Sequence, residues 1–158
     1  MTPGNKECVL VLDTIRSAHN TGSMFRTADG AGVSRIILTG YTPAPIERGR
    51  ARPDIAKVAL GAEISIPWTQ VGTAVEALTE LKREGYTILA LEKMEGAVSL
   101  FEYISPEKFA LFVGNEVDGV PPEVLALCDT VIAIPMRGIK ESLNVSVATG
   151  IALYGLLK

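Results

Sequence analysis

Histidine and cysteine are scarce in this chain of 158 residues, which contains one histidine and two cysteines. Cys8 and Cys128 lie far apart, and no Cys-x-x-Cys or Cys/His pattern surrounds either of them. A zinc site is therefore not predicted, and we expect no bound metal. We interpret both residues as reduced cysteines of a cytoplasmic protein, because disulfides are rare in that compartment.

Long apolar runs and a basic leader are also missing. The longest uncharged stretch, Leu143 to Leu157, has about 15 residues, short of the ~20 that cross a bilayer. The stretch from Met1 to Glu7 is polar and contains Pro3 and Gly4, so we expect neither a secretory signal nor a membrane partner. The length and a hydrophobic content of 47% predict one globular domain over residues 1–158, with no separate RNA-binding domain.

An overall excess of basic charge is absent, since the net charge is −3, and this argues against a generic nucleic-acid binder. The charge is unevenly distributed, however. Residues 16–57 contain seven basic and three acidic side chains and carry +4, so the rest of the chain carries −7. This local basic patch is compatible with a phosphate-containing partner, although a solvated loop would explain it equally well.

Predicted strands and helices alternate along the chain. Apolar runs predict strands over 8–12, 34–38, 63–66, 86–91, 109–113 and 131–134. Helical spacing and caps predict helices from Asn20 as N-cap to Gly32, and over 55–60, 71–84, 121–127 and from 143 or 144 onward, with a long loop at 39–53. The pattern predicts an α/β fold with a mostly parallel sheet covered by helices on both faces. Its ligands would bind beyond the carboxyl ends of the strands.

The last predicted helix has no charged residue between Val145 and Leu157, and apolar residues surround most of it. Such a helix must be buried on more than one side. In a chain of this size we expect the second cover to be another subunit, which predicts a homodimer. A central helix buried wholly within one chain is the alternative.

Three polar segments interrupt this pattern at its turns. The first, residues 19–26, places Asn20, Gly22 and Arg26 around a strand-to-helix turn, where the glycine would allow a ligand to approach the backbone. An N-capping asparagine with a surface arginine is the simpler explanation. His19 adjoins the segment, but a single histidine without a partner is weak evidence for a general base.

The second segment, residues 113–121, combines two glycines, an amide and two carboxylates after an apolar strand. Either Asn115 or Glu116 could bind ribose hydroxyls there, or the segment could be an ordinary turn. The third segment comprises residues 134–138 and 142–146. Ser142 or Asn144 could cap the last helix, and the free amides at a helix start could also bind a cofactor.

Taken together, the three segments resemble the signature motifs of the SpoU/TrmH family of RNA ribose 2′-O-methyltransferases, in the SPOUT superfamily. The family pattern N-x-G-x-x-x-R is matched in the first segment, and G-x-E-x-x-G is matched by Gly114, Glu116 and Gly119. The third segment resembles I-P-M followed by S-L-N-V-S. The similarity covers nearly the whole chain, and the ordered set is far more specific than any one motif.

The resemblance implies transfer of a methyl group from S-adenosylmethionine to a ribose 2′-hydroxyl of tRNA or rRNA, with S-adenosylhomocysteine as the product. It also implies a C-terminal deep trefoil knot and a homodimer formed through the last helix. The implied cofactor-binding residues are Leu91, Gly114, Ile134, Met136 and Leu143. The implied catalytic residues are Asn20, Arg26, Glu116, Ser142 and Asn144.

Two further expectations concern chemistry. Arg26 is the residue that the resemblance implies for activating the hydroxyl, but a guanidinium with a pKa above ~12 rarely loses a proton. It could instead orient a phosphate and stabilise the developing oxyanion. The basic side chains of Arg16, Arg48, Arg50 and Arg52 are expected to contact RNA. The alternatives are a knotted methyltransferase that modifies a base nitrogen, and a non-catalytic member that binds RNA or cofactor.

Overall fold

Strands and helices alternate throughout residues 5–158, the part of the chain that this computed structural model describes. The strands are β1 (Glu7–Asp13), β2 (Arg35–Thr39), β3 (Ile46–Glu47), β4 (Arg50–Ala51), β5 (Trp68–Val71), β6 (Thr87–Leu91), β7 (Val98–Ser99), β8 (Lys108–Val113) and β9 (Thr130–Ala133). The helices are α1 (Ala18–Ala31), α2 (Pro53–Ala59), α3 (Ala62–Ser65), α4 (Ala74–Arg83), α5 (Pro122–Leu125) and α6 (Val145–Leu157). The N-terminal stretch discussed above begins with residues 1–4, which lie outside the described residues.

Seven of these strands form one sheet in the order β5-β2-β1-β8-β6-β9-β7, and all of its neighbouring pairs are parallel. The predicted α/β fold with a mostly parallel sheet is thereby confirmed. β1 lies near the middle, and its residues 8–12 are completely buried. A parallel strand covered on both faces has no solvent-facing side, which explains its uninterrupted apolar sequence.

Helices cover both faces of the sheet, as the alternating pattern predicted. On one face, α1, α2, α3 and α6 pack over a core that includes Leu10, Phe25, Ile55, Phe109 and Leu153. On the other face, α4 and α5 pack over a second core that includes Val11, Leu78, Leu81, Phe112 and Val124. Alternate residues of β1 enter the two cores, because successive side chains of a strand point to opposite faces.

The carboxyl ends of the central strands meet at one edge of the sheet. Leu12 of β1 pairs with Val113 of β8, and Val113 pairs in turn with Leu91 of β6. The strand order reverses direction between β1 and β8, and this is where ligands bind in open α/β sheets. The loops that follow β1, β6, β8 and β9 therefore surround the place where a site is expected.

The strand predicted over residues 63–66 is wrong, because this stretch lies in and directly after helix α3. Ala62 and Ile66 are buried whereas Ile64 is 86% exposed, which fits the four-residue spacing of a helical turn and not the alternation of a strand. Ile66 itself is extended, as expected for a residue before a proline, so the helix ends there. The strand of this region is β5, after Pro67.

Further differences from the predictions concern residues 71–84 and 39–53. The helix predicted from residue 71 begins at Ala74, because Thr73 caps it and accepts a hydrogen bond from the Glu76 N–H at 3.2 Å. The predicted loop over 39–53 contains the β3–β4 hairpin, which turns at Arg48 and Gly49 with φ angles of 51° and 76°. Positive φ at both central residues matches the twist of a two-residue hairpin turn.

Helix α6 is buried on one side only within the chain. Thr149, Ala152, Leu153 and Leu156 face the core, whereas Val147, Ile151 and Tyr154 are 50%, 38% and 59% exposed. The alternative of a helix buried wholly within one chain is therefore wrong. Among the described residues, no helix has the length and apolar character required to cross a membrane.

Candidate active site

Helix α1, which contains the first segment, begins at a serine and not at the predicted asparagine. The side-chain oxygen of Ser17 accepts a hydrogen bond from the Asn20 N–H at 3.0 Å. The prediction that Asn20 caps the helix is wrong, because Ser17 stands three residues earlier and already satisfies that N–H group. The side chain of Asn20 is thereby left to form hydrogen bonds outside its own helix.

Gly22 serves helix packing and not ligand binding. A Cβ atom added there would lie 2.9 Å from the carbonyl oxygen of Ile55 and 3.0 Å from the Cβ of Val58, both in α2. Since carbon atoms pack at about 3.5–4.0 Å, any larger residue would push α2 away from α1. Close contact between two helices therefore explains this glycine, and not the approach of a ligand.

Both glycines of the second segment are required by a tight loop after β8. A Cβ atom at Gly114 would lie 2.4 Å from the carbonyl oxygen of Gly119, and Gly119 has a φ of +69°. The Asn115 side-chain oxygen closes this loop by accepting the N–H groups of Val117 and Asp118 at 2.8 and 2.9 Å. The loop therefore has a defined backbone shape, which fixes where Glu116 stands.

Asn115 also connects the loops that follow three neighbouring strands. Its side-chain nitrogen donates to the carbonyl oxygen of Thr14, after β1, at 2.7 Å. The same nitrogen donates to the hydroxyl of Tyr41, after β2, at 2.9 Å. Asn115 is buried and uses all of its polar groups in these contacts, so it organises the site and is not available to a ribose.

The Glu116 carboxylate receives three hydrogen bonds from the start of α1. It accepts the N–H groups of Arg16 at 2.8 Å and Ser17 at 3.1 Å, and the side-chain amide of Asn20 at 3.2 Å. Partial burial acts to raise the pKa of Glu116, but these bonds and one from its own N–H outweigh it, so the pKa lies below its usual value. The residue is therefore ionised at neutral pH, and its negative charge is held in one place.

The third segment reaches the same place through Asn144. This residue caps α6, and its side-chain oxygen accepts the N–H of Ser146 at 2.9 Å, as one of the two capping alternatives predicted. Its side-chain nitrogen donates to the side-chain oxygen of Asn20 at 3.3 Å. Asn144, Asn20 and Glu116 thus form one hydrogen-bonded chain, to which each of the three segments contributes a residue.

A cavity of about 250 Å³ lies beside this chain at the carboxyl ends of β6, β8 and β9. All five residues expected to bind a cofactor line it, namely Leu91, Gly114, Ile134, Met136 and Leu143. Two of the expected catalytic residues, Glu116 and Ser142, line it as well. Segments separated widely in the sequence therefore meet around a single cavity.

Arg26 does not line this cavity. It lies exposed on α1, six residues beyond Asn20, or about 9 Å along the helix axis. It takes part in none of the ion pairs found among residues 5–158. The structure therefore leaves its guanidinium accessible from solvent, at a distance from the other expected catalytic residues.

The four arginines expected to contact RNA have different environments. Arg16, Arg48 and Arg50 are exposed, and Arg16 lies next to the site because its backbone N–H binds Glu116. Arg52 instead donates to both carboxylate oxygens of Asp54, at 3.0 and 2.7 Å, and approaches Glu47 to 3.6 Å. Its charge is thus largely committed to holding the hairpin against the start of α2.

Sequence patterns alone did not single out two charged residues of the cavity, Glu92 and Lys93. The Glu92 carboxylate accepts the N–H of Val120 at 2.9 Å and so braces the second segment against β6. The Lys93 ammonium donates to the carbonyl oxygen of Glu141, between the two parts of the third segment, at 3.1 Å. Glu92 and Lys93 directly follow the predicted strand 86–91, and this position could have indicated that they belong to the site. No group of three or more potential metal ligands occurs within residues 5–158.

Comparison with known proteins supports the grouping of the three segments. Residues 7–154 match the family model described as the SpoU rRNA methylase family. The chain is 36% identical over 146 residues to the 23S rRNA (guanosine-2′-O-)-methyltransferase of Neisseria meningitidis serogroup B, covering 92% of this chain and 56% of that protein. It is 34% identical over 149 residues to the tRNA (guanosine(18)-2′-O)-methyltransferase of Aquifex aeolicus, covering 94% of this chain and 68% of that one.

Solved structures give the same result. The AdoMet-bound rRNA methyltransferase from Sinorhizobium meliloti has a TM-score of 0.86 and 29% identity, with 98% of this chain and 57% of that chain covered. The A. aeolicus TrmH/SpoU tRNA-modifying enzyme has a TM-score of 0.83 and 30% identity, with 98% and 76% covered. The chain thus spans little more than half the length of several relatives. From the match over nearly its full length, the chain belongs to the SpoU rRNA methylase family.

Proposed function

We propose that this protein transfers a methyl group from S-adenosylmethionine to a ribose 2′-hydroxyl of RNA. The observation that carries the proposal is the hydrogen-bonded chain Asn144–Asn20–Glu116 at the mouth of the cavity. It unites the three segments whose motifs resemble those of ribose methyltransferases. The similar proteins from N. meningitidis and A. aeolicus are both named as guanosine 2′-O-methyltransferases, one of rRNA and one of tRNA.

The cavity has the chemistry that this cofactor requires. Its apolar side chains, Leu91, Ile134, Met136 and Leu143, suit the faces of an adenine ring, and the exposed backbone of its loops offers hydrogen bonds to ring edges and ribose. Three carboxylates, those of Glu92, Glu116 and Glu141, outnumber the one ammonium of Lys93 in the lining, and this net negative charge favours a cationic ligand. When bound, S-adenosylmethionine would supply an electrophilic methyl group on a sulfonium cation. The products would be the ribose 2′-O-methyl ether, S-adenosylhomocysteine and the hydroxyl proton, which is released to water.

In this proposal the residues of the chain orient the attacking ribose. Asn20, Glu116 and Asn144 form a fixed polar rim, and Ser142 adds a hydroxyl at the cavity wall. Positioning of this kind removes orientational freedom before the reaction begins. We assign Arg26 to binding an RNA phosphate and stabilising negative charge on the attacking oxygen, because a guanidinium donates strong hydrogen bonds to anionic oxygens.

We assign the exposed arginines to RNA binding. Arg16, Arg48 and Arg50 present positive charge at the edge of the sheet where the cavity opens, which suits an RNA backbone.

The exposed apolar side of α6, formed by Val147, Ile151 and Tyr154, suits a second copy of the same helix. We therefore propose a homodimer formed through α6.

We also propose that the C-terminal part is threaded as a deep trefoil knot. Two observations support this: β6 lies between β8 and β9 in the sheet, and the segment between β9 and α6 lines the cavity. The bond from Lys93 to Glu141 holds that segment against the loop after β6. Tracing the backbone through a crystal structure, from both termini inward, tests the threading.

One experiment separates this function from its alternatives. The protein is incubated with S-adenosylmethionine labelled in its methyl group and unfractionated cellular RNA, and the RNA is then digested to nucleosides. A labelled 2′-O-methylnucleoside is expected. A base-methylated nucleoside would instead indicate a knotted base methyltransferase, and the absence of label would indicate a non-catalytic binding protein.

Two variants accompany this experiment. Arg26→Ala is expected to abolish transfer while calorimetric binding of S-adenosylmethionine survives, because Arg26 lies outside the cavity. Arg83→Ala, at an exposed arginine of α4, serves as the control and should transfer normally. Normal turnover by Arg26→Ala would remove Arg26 from the mechanism.

A further inference from the structure

A second cleft, of about 300 Å³, opens beside the loop after β2. Its lining combines an aromatic ring with hydrogen-bonding and charged side chains, including Tyr41, Arg48, Arg52 and Gln70. Asn115, which lines the cofactor cavity, donates to the Tyr41 hydroxyl at 2.9 Å. The two openings are therefore linked by a hydrogen bond between a lining residue of each.

The ring of Tyr41 is both exposed and held in place. It is 62% exposed, although its hydroxyl is bound to the buried Asn115. On one side Gly40 has a φ of +61°, and a Cβ atom there would lie 2.4 Å from the Cγ2 of Thr14. On the other side the buried Thr42 hydroxyl accepts the Ile15 N–H at 3.0 Å. A ring fixed at both its backbone and its hydroxyl loses little freedom when a ligand stacks on it.

Of the two arginines that line the cleft, one is engaged in ion pairs and the other is exposed to solvent. Arg52 is paired with Asp54 and Glu47, so it shapes the cleft wall. Arg48 is exposed at the tip of the hairpin, held there by the two-residue turn. The ring of Tyr41 offers a face on which a base can stack. The exposed guanidinium of Arg48 offers a contact to a phosphate, and the amide of Gln70 offers hydrogen bonds to a base edge.

We propose that this cleft binds a nucleobase of the RNA, stacked on Tyr41, next to the nucleotide whose ribose enters the cofactor cavity. The proposal rests on the function proposed above and adds to it a subsite that recognises a neighbouring, unpaired base. Unstacked bases of loops and bulges are the usual targets of aromatic side chains in RNA recognition. The subsite therefore selects single-stranded positions over a continuous duplex.

Binding measurements test the subsite with two probes, a short single-stranded oligoadenylate and its analogue that lacks the bases. Tyr41→Ala is expected to weaken oligoadenylate binding about tenfold, within the range measured for base–aromatic stacking. Its affinity for the analogue without bases should be unchanged. Tyr41→Phe keeps the ring but loses the bond to Asn115, so its affinity should lie between those of wild type and Tyr41→Ala. Phe101→Ala provides a control at an aromatic residue that is 57% exposed elsewhere.

The salt dependence of binding distinguishes stacking from charge. Tyr41→Ala should lower the affinity equally at all salt concentrations, whereas Arg48→Ala should reduce the slope of log K against log salt by about 0.7 for one lost phosphate contact with a single strand. Photocrosslinking to unfractionated RNA gives an independent readout. After digestion, a nucleotide adduct is expected on the tryptic peptide 36–48, in which Tyr41 is the only aromatic residue.

The outcomes separate the two proposals. A wild-type protein that binds RNA and transfers methyl groups, together with a Tyr41→Ala variant that binds oligoadenylate normally, would overturn the subsite and leave the enzyme intact. Equal losses on both probes would also overturn it, because a stacking residue cannot act on an RNA without bases. A wild-type protein that neither binds nor methylates RNA would overturn both.

Discussion

The side-chain nitrogen of Asn144 donates to the side-chain oxygen of Asn20 across 3.3 Å, between residues 124 positions apart in the chain. The side-chain nitrogen of Asn20 in turn donates a hydrogen bond to the Glu116 carboxylate at 3.2 Å. Asn144 is also the N-cap of α6, so one side chain both starts that helix and joins it to α1. The start of α6 is therefore connected by hydrogen bonds to the carboxylate at the cavity.

The two roles of Asn144 can be separated by substitution. Asn144→Ala should lower the stability by about 1 kcal/mol through loss of the cap, and it should also reduce methyl transfer. Asn144→Ser keeps a capping oxygen but lacks the amide that reaches Asn20, so it should regain the melting temperature without regaining the activity. Thermal unfolding and single-turnover transfer, measured for both variants, provide the comparison. Full activity of the serine variant would show that the bond to Asn20 is dispensable.

Glu116 should make the stability depend on acid pH. Burial acts to raise its pKa, but the hydrogen bonds it accepts lower the pKa overall, so the folded protein holds this proton less tightly than the unfolded chain. Its contribution is therefore present above the ordinary glutamate pKa of ~4.3 and is lost as the pH falls through the folded value. Glu116→Gln should flatten the fall in melting temperature below about pH 5.

Circular dichroism melts over that pH range test this expectation. Glu102→Gln changes an exposed glutamate outside the site and serves as the control, which should keep the wild-type slope. If Glu116→Gln follows the same slope as the control, the carboxylate is not held as its contacts indicate.

Gly114→Ala should disrupt the second segment. The added methyl group would lie 2.4 Å from the carbonyl oxygen of Gly119, and overpacking of this kind costs about 1–3 kcal/mol. We also expect S-adenosylmethionine binding to be lost, because Gly114 lines the cavity. The matched control is Gly138→Ala, whose Cβ atom would meet nothing within 4 Å. Urea unfolding and calorimetry measure both effects, and equal behaviour of the two variants would contradict the packing explanation.

The exposed arginines of the hairpin should control the salt dependence of RNA binding. Replacing Arg48 and Arg50 together by glutamate should weaken binding and lower the slope of log K against log salt by roughly 2. Arg52→Ala should change the slope less and the melting temperature more, since its partners are Asp54 and Glu47. Filter binding with unfractionated RNA over a series of KCl concentrations provides the slopes. A double variant with the wild-type slope would exclude the hairpin from the RNA interface.

Ile151→Glu should convert the proposed dimer into a monomer. The substitution places a charge on the exposed apolar side of α6, where burial against a second copy would be costly. Ile64→Glu, at a residue that is 86% exposed on α3, is the control and should remain dimeric. Light scattering coupled to size-exclusion chromatography measures the mass. A monomeric wild-type protein would refute the dimer.

The parallel sheet could be predicted because its strands are buried on both faces, so that residues 8–12 and 109–113 are apolar without interruption. The stretch 63–66 misled the prediction because it is too short for its periodicity to decide between strand and helix. Only Ile64, exposed while its neighbours at 62 and 66 are buried, distinguishes the two, and exposure is a property of the folded chain. The hairpin β3–β4 escaped prediction because its strands have two residues each.

Five residues that line the cavity, Leu91, Gly114, Ile134, Met136 and Leu143, could be anticipated from the resemblance to the family. The hydrogen-bond partners of the residues at the site could not be anticipated. Glu116 is held by the start of α1, and Asn115 by loops that lie 74 and 101 positions away along the chain. Such bonds depend on which strands are neighbours, and the order of strands is not encoded in any local pattern.

The sequence by itself determined the α/β pattern, the three polar segments, the two candidate caps of α6 and the family to which the chain belongs. These follow from local propensity, periodicity and short motifs. Tertiary structure alone decided that Gly22 packs against α2, that Asn20 bridges two segments, that Arg26 lies apart from the cavity and that Tyr41 is anchored by Asn115. The reason is that contacts between distant residues arise only when β1, β6, β8 and β9 bring their carboxyl ends to one edge of the sheet.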